Sequence, residues 1–268
     1  MRFLEVMSNK PLISIITVCF NSESTIEDTI KSVLSQDYDD LEYIIIDGGS
    51  LDGTLQIIDK YTDKISVVVS EPDKGISDAF NKGIKLATGD VIGIINSDDI
   101  LSKDALKAVG NSFITGNDVY RGDMIIEDVE AGNRYLSQPS MKFSMTSRVN
   151  NVCHPSTFIA KQAYQKWGLY RVDFKYMMDL DLLYRFYMAG AKFKYIPATL
   201  AVFRIGGRTA DNWRNKLEEH KQMLKVNNFP IWLQLYKNGS FVIYQLVKQC
   251  LYRIVGINKL RNMKYGSR

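Results

Sequence analysis

Apolar and polar positions follow a regular alternation over the first hundred residues. Residues 12–20 (LISIITVCF) are an unbroken β-branched run, the pattern of a strand covered on both faces. Next, Ile26, Ile30, Val33 and Leu34 recur at helical spacing, and Ser24 with Glu27 has the spacing of a capping box. A second strand is predicted over 41–47 (LEYIIID), then a glycine-rich turn and a helix reaching Tyr61. A third strand follows over 65–70 (ISVVVS). Ile76, Ala79, Phe80, Gly83, Ile84 and Ala87 mark one face of a helix over 75–87, and 90–96 (DVIGIIN) reads as a fourth strand. Strands and helices in this alternation build a parallel sheet with helices on both faces.

Beyond a helix over 102–114 the regularity weakens. Strands are expected over 118–126 and 154–160, helices over 161–168 and 179–190, and two short strands over 192–196 and 200–204 before Gly206-Gly207. Residues 211–228 and 231–255 have helical spacing and are parted by Pro230. The expected fold class is α/β: a Rossmann-like, mostly parallel sheet flanked by helices, with a C-terminal helical appendage. The expected division is a body over 1–210, in halves 11–101 and 102–210, and a tail over 211–268.

At 268 residues, 46% hydrophobic and 24% charged, the chain can bury a sizeable core. No apolar run approaches the roughly 18–20 residues of a membrane span. The N-terminus lacks the apolar segment of an export signal. Three scattered cysteines (Cys19, Cys153, Cys250) suit a reducing compartment and offer no zinc spacing, so a cytoplasmic location is expected. The net charge of +4 conceals a split: residues 211–268 hold eleven Lys/Arg against three Asp/Glu, which leaves the rest at −4. This tail is apolar, aromatic and basic, contains Trp232, and has no acid after Lys248. That composition fits an interfacial helix facing anionic headgroups. A helix closing the core is the alternative. Nucleic acid fits less well, because no recognised binding module accompanies the charge. A homodimer is left open.

Ligands of open parallel sheets bind beyond the C-terminal strand ends. Those ends read Phe20-Asn21, Asp47-Gly48-Gly49, Ser70-Glu71-Pro72-Asp73 and Asn96-Ser97-Asp98-Asp99. A rim of carboxylates with few bases requires a cation, and it suits Mg²⁺ or Mn²⁺ that keep open positions for phosphate oxygens. Asp98 and Asp99 are the metal candidates. The competing reading makes them a helix N-cap and a solvated turn residue before 102–114. The glycines after Asp47 lack the G-x-G-x-x-G spacing of dinucleotide binding, yet they allow a flat ligand such as a nucleobase to approach. Ser50 stands where a phosphoaspartate enzyme with a D-x-D-G-T motif needs its nucleophile, which excludes that chemistry. Asp52 is expected to cap the following helix.

The segments SIITVCFN, IIIDGGSLDGT and SEPDKGISDAFNKGIKLATGDVIGIINSDD, in order over 12–101, resemble the N-terminal half of family 2 glycosyltransferases with the GT-A fold. Bacterial polysaccharide-assembly members are the most similar. The resemblance implies inverting transfer of a sugar from a nucleoside diphosphate sugar to a saccharide hydroxyl, with a divalent cation on the diphosphate. It makes 11–101 the nucleotide-sugar half and 102–210 the acceptor half. It implies that Asp47 bonds the nucleobase and that Asp73, Lys74 and Asp78 close over the nucleotide. Asn96 stands first in the family's D-x-D element, so Asp98 then carries the metal with Asp99 helping. His154 matches a histidine near the acceptor or a phosphate, and Arg204, in FRIGG, an arginine beside the diphosphate.

The resemblance also implies a general base at the start of a later helix, here within YMMDLDLLYRF, where Met178 replaces an acid. Helical geometry favours Asp179, which shares a face with Leu182, Leu183 and Phe186. Asp181 is four residues from Arg185, the spacing of a surface ion pair. A lipid-linked acceptor at the inner face of the plasma membrane would place substrate and basic tail in one plane. A sugar-nucleotide nucleotidyltransferase would want a Gly- and Arg-rich loop after the first strand, which Phe20-Asn21-Ser22-Glu23 does not supply. A catalytically inactive nucleotide-sugar-binding scaffold is kept open by Asn96 and Met178.

Overall fold

The computed structural model describes residues 10–129, 132–140, 143, 152–205 and 213–255. Four strands open it: β1 (Ile13–Cys19), β2 (Leu41–Asp47), β3 (Val67–Ser70) and β4 (Val91–Asn96). They are parallel, in the order β3-β2-β1-β4. Between them lie α1 (Ile26–Leu34), α2 (Thr54–Asp59) and α3 (Ile76–Leu86). The sheet then turns mixed. Its later strands are β5 (Ile100–Leu101), β6 (Val119–Asp128), β7 (Asn133–Ser137), β8 (Thr157–Ala160) and β9 (Phe193–Ile205). The full path is β3-β2-β1-β4-β8-β6-β9-β5, with β7 beside β6, and β8 runs antiparallel to both β4 and β6. The later helices are α4 (Ala105–Ser112), α5 (Lys161–Trp167), α6 (Met178–Met188), α7 (Trp213–Val226) and α8 (Ile231–Val255).

The two-residue period of the strands sorts the core into two layers. Ile13, Ile15, Tyr43 and Ile45 face α1, α2 and α4 through Ile26, Ile30, Ile58 and Leu106. Ile16, Val18, Ile44 and Ile46 face the other way, in one cluster with Phe80, Tyr164, Leu182 and Met223. Gly83 lets α3 lie close on β1, since a Cβ there would sit 2.4 Å from Ile16 Cγ2.

Two expectations need correction. Ser24 and Glu27 form no capping box: α1 begins after Thr25 without a side-chain cap, and the Ser22 carbonyl accepts the Thr25 and Ile26 amides instead. The two short strands of 192–196 and 200–204 are one strand, β9, whose register against β6 shifts around Gly122 and Asp123. Pro197, which cannot donate to a ladder, falls in that bulge, where sheets tolerate it. In the segment after 210, Met223, Leu224, Phe229 and Leu233 are buried in the same cluster as Phe80 and Leu182, which fits the alternative of a helix closing the core. Gly206 and Gly207 lie outside the described residues.

Candidate active site

Register brings the four strand ends level. Cys19 pairs with Asp47, Asp47 with Ser70, and Val18 with Asn96. Asp47 closes the turn after β2: Oδ2 accepts the Gly49 and Ser50 amides and the Ser70 hydroxyl at 3.1, 3.0 and 2.7 Å, while Oδ1 accepts the Ser50 hydroxyl. Burial opposes its charge, yet the hydroxyls of Ser50 and Ser70 and the Ser50 amide hold its carboxyl below the usual carboxylate range. Asp47 is thus fully buried and spends its oxygens on the turn.

The surface above that turn is made by other residues. Phe20 is 48% exposed at the end of β1. A Cβ on Gly48 would meet Asp73 Oδ2 at 2.4 Å and Phe20 Cδ2 at 3.5 Å, so a bare backbone lies between an aromatic ring and a carboxylate. Asp73 Oδ1 accepts the Gly75 amide at 2.7 Å, and Asp78 Oδ2 accepts the Lys74 amide at 3.0 Å. The Lys74 side chain is exposed. Phe20 was not singled out from sequence, although an apolar residue one step past a buried strand, at a ligand-binding edge, is a usable signal.

The acids after β4 do not cap a helix. The N-cap of α4 is Asp104, in left-handed geometry without a side-chain cap bond, and β5 intervenes, so the cap reading of Asp98 and Asp99 fails. Asp99 is fully buried; its oxygens accept the Arg204 amide at 3.3 Å and Asn96 Nδ2 at 3.2 Å. Burial, then neighbouring Asp98, pushes its carboxyl up to about 7. Asp98, half-buried, is also raised by burial. Asn96 Oδ1 is buried with no hydrogen-bond partner. The Arg204 guanidinium pairs with Asp28 at 3.0 Å and Glu127 at 3.4 Å, and it still acts electrostatically on Asp98. Asp52 is not the N-cap of α2, which is Gly53; from one residue earlier its Oδ1 accepts the Thr54 amide at 3.0 Å.

Because β8 runs antiparallel to β4, the 3₁₀ turn His154–Ser156 that precedes it arrives at the rim. The His154 ring stacks on Phe80 with centroids 5.2 Å apart, and its Nδ1 lies 3.0 Å from Asp179 Oδ1. Burial works against a charged imidazole, but Asp179 and then Asp99 hold His154 above its ordinary value. His154 Nε2 and Asp179 Oδ1 are both buried without a hydrogen-bond partner, so the 3.0 Å contact is an electrostatic pairing rather than an aligned bond.

Asp179 is in the first turn of α6, as its periodicity predicted, and Leu182, Leu183 and Phe186 are buried on the inner side. Asp181 is not on the surface. It is fully buried and binds Arg171 at 2.8 Å, Arg185 at 3.0 Å and Asn227 at 2.7 Å. That leaves Asp179 as the first-turn carboxylate of α6 facing His154. Helix α3 anchors the approach to α6: Ser77 donates to the Phe174 carbonyl, and the Asn81 amide exchanges two bonds with the Tyr170 backbone. The helical periodicity gave no sign of these two roles.

A level rim of parallel strand ends bearing acids, joined to a mixed sheet that returns a histidine and a helix-borne carboxylate to it, is the arrangement of the nucleotide-sugar-dependent glycosyltransferases of GT-A fold. Solved structures agree on the fold. TarS residues 1–349 of Staphylococcus aureus, solved with UDP-GlcNAc, superposes with a TM-score of 0.66 at 16% identity, covering 95% of this chain and 78% of that one. The mannosyltransferase PcManGT from Pyrobaculum calidifontis, solved with GDP-Man and Mn²⁺, gives 0.61 at 14% identity, covering 97% and 77%. The family model for glycosyl transferase family 2 matches residues 14–169, and the chain belongs to that family. Poly-beta-1,6-N-acetyl-D-glucosamine synthase of Staphylococcus aureus is 26% identical over 257 residues, which cover 87% of this chain and 62% of that protein. TuaG of Bacillus subtilis, a glycosyltransferase assigned to teichuronic acid biosynthesis, is 41% identical over 101 residues, 37% of this chain and 40% of that protein.

Proposed function

We propose that the protein transfers a sugar from a nucleoside diphosphate sugar to a hydroxyl of a saccharide acceptor in bacterial cell-surface polysaccharide synthesis, with inversion at the anomeric carbon. One observation supports this most strongly. Asp179, from the second half, and Asp99, just past β4, act on the same buried imidazole, so the proposed base and the acidic rim meet at His154. In the reaction, Asp179 takes the proton of the acceptor hydroxyl as its oxygen bonds the anomeric carbon and the bond to the diphosphate breaks. His154 faces the acceptor side. Phe20, Gly48, Asp73, Lys74 and Asp78 surround the nucleobase end, with Asp47 shaping the turn beneath it. Asn96 and Arg204 border the ribose and diphosphate.

The residues at the rim fit a divalent cation. Two adjacent carboxylates are partly or wholly buried, and both are raised by burial, the signature of charge that lacks compensation. Among the described residues no three His, Cys, Asp or Glu gather into a protein-only cage. Mg²⁺ and Mn²⁺ accept one or two protein carboxylates when phosphate oxygens complete the shell. Asp98, with Asp99, would hold that ion, which when bound offsets the charge of the leaving diphosphate.

The relatives named for polysaccharide assembly support the acceptor class, and the TarS complex supports UDP among the donor bases. No described helix is long and apolar enough to cross a membrane. We place the protein at the inner face of the plasma membrane, held by α8 beside a lipid-linked acceptor. The test of the chemistry is Asp179→Asn. Turnover should fall by about 10²–10⁴-fold, the range for a lost general base, while nucleotide binding persists. A variant that turns over like an active wild type would remove Asp179 as the base; a wild type that binds the nucleotide without turnover would point to an inactive sugar-nucleotide scaffold instead.

A further inference from the structure

Helix α6 carries the proposed base but begins without a cap of its own. Its entry reads Lys175-Tyr176-Met177-Met178, with none of the Ser, Thr, Asp or Asn side chains that close a helix N-terminus. Met177, at the N-cap, makes no side-chain cap bond. The amide of this N-cap and the two amides before it are met from elsewhere. Glu219, on α7, accepts Lys175 N with both oxygens at 3.0 Å, Tyr176 N at 2.7 Å and Met177 N at 3.2 Å. Three successive amides converge on one carboxylate, an anion nest at the positive end of a helix. The same helix braces this entry twice more. Lys216 lies over the Tyr176 ring at 5.7 Å, and Asn227, just past α7, donates to Asp181 one turn into α6.

The consequence concerns Asp179. An acid in the first turn can reach back to the amide of its helix's N-cap, here Met177, as in a capping box. Asp181 is committed to Arg171, Arg185 and Asn227, so Asp179 is the first-turn carboxylate that an open N-terminus would capture. We propose that Glu219 is a positioning residue for the reaction: by occupying the amides of 175–177 it leaves the Asp179 carboxylate free to face His154 and the acceptor. This rests on Asp179 being the base. It makes α7 part of the catalytic apparatus.

The test compares Glu219→Gln, Glu219→Asp and Asp179→Asn in the full chain. Two readouts are used: hydrogen exchange at the amides of 175–177, and release of UDP from UDP-N-acetylglucosamine or of GDP from GDP-mannose, whichever the wild type turns over. In Glu219→Gln those amides should exchange faster. Its kcat should fall about a hundredfold, as for other misplaced reacting groups, with the donor KM unchanged within about twofold. Glu219→Asp, which keeps the charge, should recover part of the rate. A Glu219→Gln enzyme with wild-type kcat, beside an inactive Asp179→Asn, would overturn the positioning role and leave the base assignment intact. Unchanged exchange at 175–177 would overturn the cap. Loss of turnover that merely tracks lost nucleotide binding and a lower melting temperature would make Glu219 structural only. An active Asp179→Asn would remove the base reading itself.

Discussion

Lys237, on the inner side of α8, is 4% exposed and donates to the Tyr184 hydroxyl at 2.8 Å. Burial pushes its ammonium down to about 8. The sign of its effect follows from where the proton is held. Between about pH 8 and the ordinary lysine value near 10.4, the unfolded chain keeps a proton that the folded chain has released, so this group makes stability rise with pH across that window. Melting temperatures of wild type and Lys237→Met should therefore converge or cross as pH climbs toward about 10, wild type gaining on the variant. Parallel curves would show that Lys237 stays charged when folded. Buried charges of this kind are hard to read from sequence. Asp181 looked like half of a surface pair because Arg185 is one turn away, but Arg171 and Asn227 enclose it from distant segments that spacing alone cannot see. Asp179 was legible because its own helix decides which way it faces.

Elements were easier to read than residues wherever local pattern and burial agree. β1 to β4 and α3 lie where their apolar periods put them, since a strand covered on both faces and a helix covered on one each leave a distinct trace. β7 (NRYLS) left little trace because it pairs only at the edge of β6. β9 was divided by Pro197 because a bulge can be seen only against its partner strand. Helix α8 shows both faces of the question raised by its composition. Leu233 is buried in the core cluster and Lys237 beside Tyr184, while Trp232, Leu235, Ile243 and Val247 are 61%, 69%, 55% and 51% exposed. Burial of one side of the helix fits the core-closing reading, and the exposed apolar side leaves the interfacial reading as a proposal. If the outer side meets lipid, the protein should sediment with phosphatidylglycerol vesicles more than with phosphatidylcholine vesicles, and Trp232→Ser combined with Leu235→Ser should weaken this without loss of fold. Equal sedimentation of the double variant would assign that stripe to another partner.

On the scale of the whole molecule, the chain builds one half of the cleft early and completes it late. The parallel strands supply the acidic rim, and the antiparallel β8 returns His154 to it. α6 then brings Asp179, held by α3 on one side and α7 on the other. The first half was readable because its contacts repeat every strand. The second half was readable only at single residues, since its geometry depends on pairings between distant segments. The account stands on the rim binding a nucleoside diphosphate through a cation. Calorimetry with UDP, GDP and dTDP tests this most directly, run with Mn²⁺, with EDTA, and on Asp98→Ala. The prediction is tight binding of one nucleotide with Mn²⁺, weakened about tenfold or more, ~1.4 kcal/mol, by EDTA or by the substitution. Absence of binding by all three nucleotides to the folded protein, or binding indifferent to both metal and Asp98, would contradict it.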